Sequence, residues 1–430
     1  MSGLVADDGH AVGFAVRTEQ SPYRGDGRRY DFLPLYLYEG SPLYLRSSRI
    51  GLKLDHAGWR FDLFLQRRFE GHPTEDVPVV LEGMARREFG ADVGAGVSRK
   101  LGAGRATVEV MRDATAVSHG AEIRLGYRHE LERGRLRLWP TATLGLRGGT
   151  LNNYYYGVEP AEATAERPRY TPGSGAQLEL GVQAAYRLTE GWHVIAGLAA
   201  IRRPQGVLDS PVVEDRAVEL AGMLGVMYDF TPQQPKAWAD GRPVILRAFY
   251  GDSSDCDVMQ IVRLACTSTH TLDPTSVAGF EVGRPVVLRL NDWPVDIAVF
   301  AGLLRHKEKG LQGDFWQVNG QIKAYYYGFP WSHIVKTRIA FGGGLSYTRE
   351  VPIMEQRDQA LRGRDTSRLL NYMDPSIDVS LGDLIRVKSL KETYVGLGVS
   401  HRSGIFGSSQ LLNNVNGGSN YIYTHVETWF

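Results

Sequence analysis

Residues 394–407, YVGLGVSHRSGIFG, run strand-like alternation directly into a histidine and a serine. Successive side chains of an extended chain point to opposite faces, so Val395, Leu397 and Val399 share one face and Gly396, Gly398 and Ser400 the other. The same period carries His401 and Ser403 onto the apolar face. A serine hydroxyl becomes a nucleophile when a base lies within hydrogen-bond reach, roughly 2.6–3.2 Å in a competent complex, and a third group usually orients that base. Positions i and i+2 on a strand are about 6.5–7 Å apart at Cα, so side-chain rotation can bring the two together. The spacing therefore permits acyl-ester hydrolysis by a His/Ser pair.

The elements that must position this pair are strands. The chain has 430 residues, 43% of them apolar, and no uninterrupted apolar run approaches the roughly 18 residues of a spanning helix. The 49 basic and 48 acidic residues leave a formal charge of +1, which gives no reason to expect a nucleic-acid partner. Fifty Gly, 21 Tyr and 8 Trp accompany alternation that recurs from end to end. That combination predicts an all-β transmembrane antiparallel barrel rather than an α/β enzyme, with a soluble β-sandwich as the competing class. The opening MSGLVADDGH has no charged region followed by an apolar one, so a signal peptide is not expected within this chain.

Extended segments follow one another from His10 onward, at the length of tilted membrane-crossing strands. In residues 59–66, Trp59, Phe61, Leu63 and Leu65 oppose Arg60, Asp62 and Gln66. In residues 177–188, Leu178, Leu180, Val182, Ala184, Tyr186 and Leu188 oppose Glu179, Gln183 and Arg187. Trp59, Trp139 and Trp192 are candidates for interfacial girdles. About eleven strands can be placed before residue 230; a closed single-chain bacterial barrel needs an even number, and residues 152–158, NNYYYGV, are the expected extra strand. Residues 231–243 contain three Pro and a Gly, the composition of a linker. The expected organisation is a barrel over 1–230, this linker, and a second barrel over 244–430; one continuous barrel of about 18–20 strands is the alternative.

The second half divides into eight strands, at 244–250, 277–290, 295–305, 316–327, 336–348, 376–386, 393–405 and 420–430. Its connections tend to alternate long and short, the asymmetry of outer-membrane barrels with long loops outside and short turns in the periplasm. The penultimate strand then runs outward and carries His401 and Ser403 to the level of the outer leaflet. Cys256 and Cys266 fall on one outer loop, where a local disulfide fits an oxidising compartment. The Arg284-Pro285 step breaks the second strand's pattern and reads as a bulge. Residues 342–344, three glycines, read as close strand packing, because a phosphate loop would need a following helix. Ile422, Thr424, Val426, Thr428 and Phe430 alternate up to a terminal aromatic, as in strands that barrel-assembly machinery recognises.

The stretches 32–41 (FLPLYLYEGS), 153–158 (NYYYGV) and 208–213 (LDSPVV) resemble the MipA/OmpV family of outer-membrane proteins over about residues 10–230. That resemblance implies an outer-membrane barrel acting as a scaffold for peptidoglycan enzymes, an adhesin or a channel, and brings no catalytic residues. The second half resembles, more loosely, the PagL-type lipid A deacylases, eight-stranded barrels with a His-x-Ser pair on the penultimate strand. His401-Arg402-Ser403 matches the pair. Gly404 stands where that family has Asn, and residues 404–420 contain no Asp or Glu to serve as the acid.

Asp374, near the start of the neighbouring strand, is the candidate acid, with Glu355 and Asp358 as loop alternatives. Arg402 and Asn420 are the candidate substrate-binding residues; Asn420, with Asn413, Asn414 and Asn416, could also orient a His or donate to an oxyanion. Arg402 has an ordinary reading as a polar residue of the inner wall, and the His/Ser pair one as polar residues tolerated near a membrane interface, where even a charge costs about 0–1 kcal/mol. No metal-ligand spacing appears and no cofactor is expected. The expected partners are outer-membrane lipids and lipopolysaccharide, the barrel-assembly machinery, and peptidoglycan-synthesis enzymes.

Overall fold

The computed structural model of the chain describes residues 4–71, 78–233, 243–269, 272–405 and 407–430. It divides into two compact units, Met1–Pro232 and Gln233–Phe430. The linker expected over 231–243 falls largely on 234–242, outside the described residues.

The strands of the first unit are β1 (His10–Gln20), β2 (Arg28–Glu39), β3 (Leu43–Arg46), β4 (Arg49–His56), β5 (Trp59–Arg67) and β6 (Ala91–Leu101). They continue as β7 (Gly104–Asp113), β8 (Ala121–His129), the short β9 (Leu131–Arg133), β10 (Leu136–Arg147), β11 (Gly175–Arg187), β12 (Trp192–Arg202) and β13 (Glu219–Asp229). Each pairs antiparallel with its neighbours; β10 pairs with both β8 and β11, and β13 pairs back onto β1. The ring is therefore closed by 12 strands, with β9 extending the β10 hairpin. Leu178, Leu180 and the Trp59–Leu65 set face outward and are exposed, while Arg60, Asp62 and Gln66 line the interior. Trp139 does not join a girdle: it is buried, with the Arg128 and Arg137 guanidinium groups 4.7 and 5.3 Å from its ring centroid.

Residues 152–158 are not a strand. Gly149–Tyr156 is a helix in a long connection, and the even strand count is reached without it. Tyr155 and Tyr156 of this helix pack with Tyr23, Leu81, Val158, Val207 and Val212. These residues all come from connections at one end of the ring. Glu70 ties that end together, accepting from Arg68, Arg147 and Arg203 at 2.9–3.2 Å. Burial alone would raise the Glu70 carboxyl, but the three guanidinium groups outweigh it and hold it well below the usual carboxylate range. Because Arg68 follows β5 and Arg203 follows β12, on opposite sides of the ring, the cluster crosses the mouth. Within the lumen lies a polar cavity of about 450 Å³, lined among others by Arg49, Gln66, Glu109, Arg124 and Gln183.

The second unit is a closed barrel of β14 (Ile245–Ser253), β15 (Ser276–Val287), β16 (Val295–Lys307), β17 (Phe315–Tyr326), β18 (Thr337–Thr348), β19 (Leu369–Ser380), β20 (Thr393–Ser403) and β21 (Gly418–Trp429). Pairing of β14 with β21 closes it, so the chain forms two rings and not one continuous barrel. The sixth strand begins at Leu369, earlier than expected, and its expected end is the helix Leu381–Ile385. The register shifts between Pro285 and Val287, the bulge read from the Arg-Pro step. A side chain at Gly344 would overlap the Gly320 backbone, which is why that strand pair needs glycine.

Charged side chains fill the barrel at mid-height. Arg247, Lys323 and Arg338 point inward against Glu281, Asp374, Asp378 and Glu427, all buried. Arg247 meets Asp374 and Glu281 at 2.6 and 2.8 Å, and Arg338 meets Asp378 and Glu427 at 2.7 and 2.8 Å. The helix Ile353–Leu361 plugs the end with the longer connections, packing Met354 against Phe249, Leu304 and Tyr421. The charged groups of this interior are paired within the second ring itself, and none of these ion pairs draws on the first unit. Residues 244–430 expressed alone should refold in detergent into a heat-modifiable species on gel electrophoresis; persistent aggregation would contradict an independently closed second ring.

Candidate active site

On β20 the parity is that of a barrel wall. Leu397 is exposed and Val395, His401 and Ser403 are half-buried on the outer face, whereas Tyr394, Ser400 and Arg402 are buried on the inner one. Thr424 and Val426 continue the outer face on β21, which pairs His401 with Asn420 and Ser403 with Gly418. His401 and Ser403 thus share the lipid-facing wall at the end bearing the longer connections.

The His401 ring is held by one side chain. Its Nδ1 lies 2.5 Å from Asn420 Oδ1, while Asn420 Nδ2 donates to the Cys256 carbonyl at 2.9 Å. A carbonyl can only accept, so the amide must turn its NH₂ toward Cys256 and its oxygen toward the histidine. Nδ1 of His401 then carries the proton and donates, leaving the Nε2 lone pair as the basic position. Ser403 Oγ accepts from the Ile405 backbone N–H at 3.2 Å and keeps its own proton available. Among the described residues no hydrogen bond joins His401 to Ser403; such contacts are commonly long before substrate binds and close by a rotamer change.

One expectation needs correction, and two pairs of alternatives are decided. Asp374 is not beside His401: it is fully buried in the lumen, bonded to Arg247, Lys323 and Tyr423. The cross-strand partner of His401 on β19 is Met373, so its neighbour Asp374 necessarily has the opposite parity. Arg402 faces the lumen, as its parity on the strand implies, and is not open to a lipid substrate. It is 1% exposed, donates to the carbonyls of Ser367 and Arg368, and lies 3.5 Å from Glu355. Asn420 has both ends of its amide occupied, so it orients the histidine instead of binding substrate. Glu355, the loop alternative, turns into the barrel mouth, where Ser419 Oγ donates to it at 2.5 Å. Burial pushes its carboxyl up, against the pull of Arg402 and the Ser419 hydroxyl.

Cys256 and Cys266 form a disulfide with a Cα separation of 5.7 Å. The loop they close folds over the outer wall: Cys256, Val258 and Ile261 pack on Val399 and Ile422, immediately below His401 and Asn420. Asp257 directly follows Cys256, whose carbonyl receives the Asn420 amide that holds His401. Periodicity gives no sign of Asp257, which lies in a loop; the nearby cysteine pair was the only signal toward it.

Two closed antiparallel rings with apolar outer belts and polar interiors define an outer-membrane β-barrel protein. The family described as MltA-interacting protein MipA matches residues 12–230, and the chain belongs to it. The outer membrane protein Omp26La of Vibrio anguillarum is 30% identical over 150 residues, covering 35% of this chain and 58% of that protein. OmpV of Vibrio cholerae is 29% identical over the same coverage, and YiaT of Escherichia coli K12 is 24% identical over 51% of this chain and 90% of its own. The match thus spans 58% of the length of the two Vibrio relatives. Among solved structures, OprB of Pseudomonas putida aligns over 98% of this chain and 94% of its own at 10% identity and a TM-score of 0.24. LpxR of Salmonella typhimurium aligns over 72% and 88% at 9% identity and 0.18, and neither similarity bears on the site. The protein resides in the outer membrane of a Gram-negative bacterium.

The two sides of β19 and β20 should respond differently to mutation. Asp374→Ala strands Arg247 and Lys323 in the lumen and should cost about 3–5 kcal/mol of folding stability, whereas Ser403→Ala should stay within about 0.5 kcal/mol of wild type. Urea unfolding in lipid vesicles measures both.

Proposed function

We propose that the second barrel hydrolyses an acyl ester of lipopolysaccharide, with Ser403 as nucleophile and His401 as base. The observation that carries this reading is the Asn420-held imidazole on the lipid-facing wall beside Ser403. Long connections mark that end as extracellular, where the outer leaflet is lipopolysaccharide, and the PagL-type resemblance supports the same substrate class. In the reaction His401 Nε2 takes the Ser403 hydroxyl proton as Oγ bonds to the acyl carbonyl carbon. The tetrahedral intermediate collapses, the ester C–O bond breaks, and His401 returns the proton to the departing sugar oxygen. Water, deprotonated by His401, then cleaves the acyl-serine, releasing the fatty acid and restoring Ser403. Asn420 holds the imidazole in one tautomer through both halves of the cycle.

Protein in vesicles containing lipopolysaccharide should release fatty acid and lower the mass of lipid A by one acyl chain, read by mass spectrometry. Ser403→Ala and His401→Ala should each slow this by about 10²-fold or more with the barrel still heat-modifiable. Unchanged lipid A with wild-type protein would refute the reading.

For the first barrel we infer a binding role toward a peptidoglycan-acting enzyme. Its family is described as MltA-interacting, and the clustered loops across its mouth favour a partner at the opposite, periplasmic end. A photo-crosslinker at Lys100 or Glu130, near the short turns, should capture such an enzyme in cells, whereas one at the outward-facing Leu198 should not; equal yields from both positions would contradict a periplasmic binding face.

A further inference from the structure

The disulfide-closed segment 254–269 does more than decorate the barrel end. Its backbone reaches the site twice: Ser254 N–H donates to the Asn420 carbonyl at 2.9 Å, and the Cys256 carbonyl receives the Asn420 amide, also at 2.9 Å. The segment is internally fixed, since Ser254 Oγ bonds both the Cys256 N–H at 3.1 Å and the Ser268 carbonyl at 2.7 Å, next to the disulfide. Asp257 begins the helix Val258–Val262 in a reciprocal cap with Gln260, which fixes the residue at the edge of the Cys256–Asn420 contact. Val258 and Ile261 anchor the inner side on the wall, while Met259, Val262 and Leu264 are 53, 52 and 82% exposed. Exposed apolar side chains continuous with a lipid-facing wall suit contact with acyl chains.

We propose that this segment completes the His401 site: the disulfide keeps the Cys256 carbonyl on the Asn420 amide, and Asp257 supplies the negative charge that the missing family acid would otherwise provide. The inference rests on the hydrolytic reading for the role of Asp257, and on geometry alone for the lock on Asn420. Asp257 acts on the imidazolium that forms when His401 takes the Ser403 proton. It is a positioning residue, because it touches neither the ester nor Ser403. An acid delivered by a loop also accounts for the lack of any Asp or Glu in residues 404–420.

The test uses the full chain in vesicles containing lipopolysaccharide and reads two quantities. The first is the rate at which diethyl pyrocarbonate modifies His401, followed by peptide mass spectrometry. Cys256→Ser/Cys266→Ser, or phosphine reduction of the folded wild type, should raise that rate about fivefold while heat modifiability is retained. The second is fatty-acid release: Asp257→Asn should lower kcat about tenfold with KM nearly unchanged, and Asp257→Glu should restore most of it. An unchanged His401 rate after both ways of opening the loop overturns the lock, and an Asp257→Asn enzyme with wild-type kcat overturns the acid. Wild-type protein that releases no fatty acid refutes the hydrolytic reading, and with it the acid, while the modification rates still decide the lock.

Discussion

A strand in hydrocarbon has no water to receive an unpaired N–H or C=O, and this fixes most of what the chain can be. Every strand must find two partners, so the sheet must close, and here it closes twice, β13 onto β1 and β21 onto β14. Closure also makes parity absolute, because each residue of a strand faces either lipid or lumen. His401 and Ser403 face lipid for the same reason that Arg402 between them cannot. A site built on i and i+2 of a wall strand is held by the whole ring and opens directly onto membrane lipid.

The two rings solve the interior differently. The second is narrow enough for side chains to fill, and it does so with three cations against four carboxylates, a network whose members are too interdependent for one to serve in catalysis. Asp374 is held by two cations and a tyrosine and has no freedom to serve His401. The wider first ring keeps a polar cavity and closes its mouth with loops gathered on Glu70. The buried charges of the second ring are therefore committed to one another, whereas the first ring keeps polar side chains facing an open cavity.

Much of this was legible in the sequence because period two is insensitive to context: the alternations at 59–66 and on β20 appear unchanged in the structure. Where the reading failed, another force had overridden the pattern. The tyrosines of 149–156 suggested a strand, but the segment lies in a connection, where a helix satisfies its own backbone and Arg147 holds the buried Asn152 at 2.7 Å. The start of β19 was obscured because Leu370 and Tyr372 point inward and Pro375 interrupts the run. Asn420 could be named from the sequence as one of four asparagines able to orient a His, but which of them does so depends on cross-strand register. Asp257 was invisible for a plainer reason: a loop folding back onto the barrel wall leaves no periodic trace.

The central claim is that Ser403 is a nucleophile made reactive by His401. An alkyl phosphonofluoridate bearing a lipid chain, added to the protein in vesicles, tests it without knowledge of the natural acyl ester. The expected result is a phosphonyl adduct on the Ser403 peptide, by mass spectrometry, and its loss in His401→Ala. Absence of labelling at Ser403, or labelling that survives His401→Ala undiminished, would contradict it.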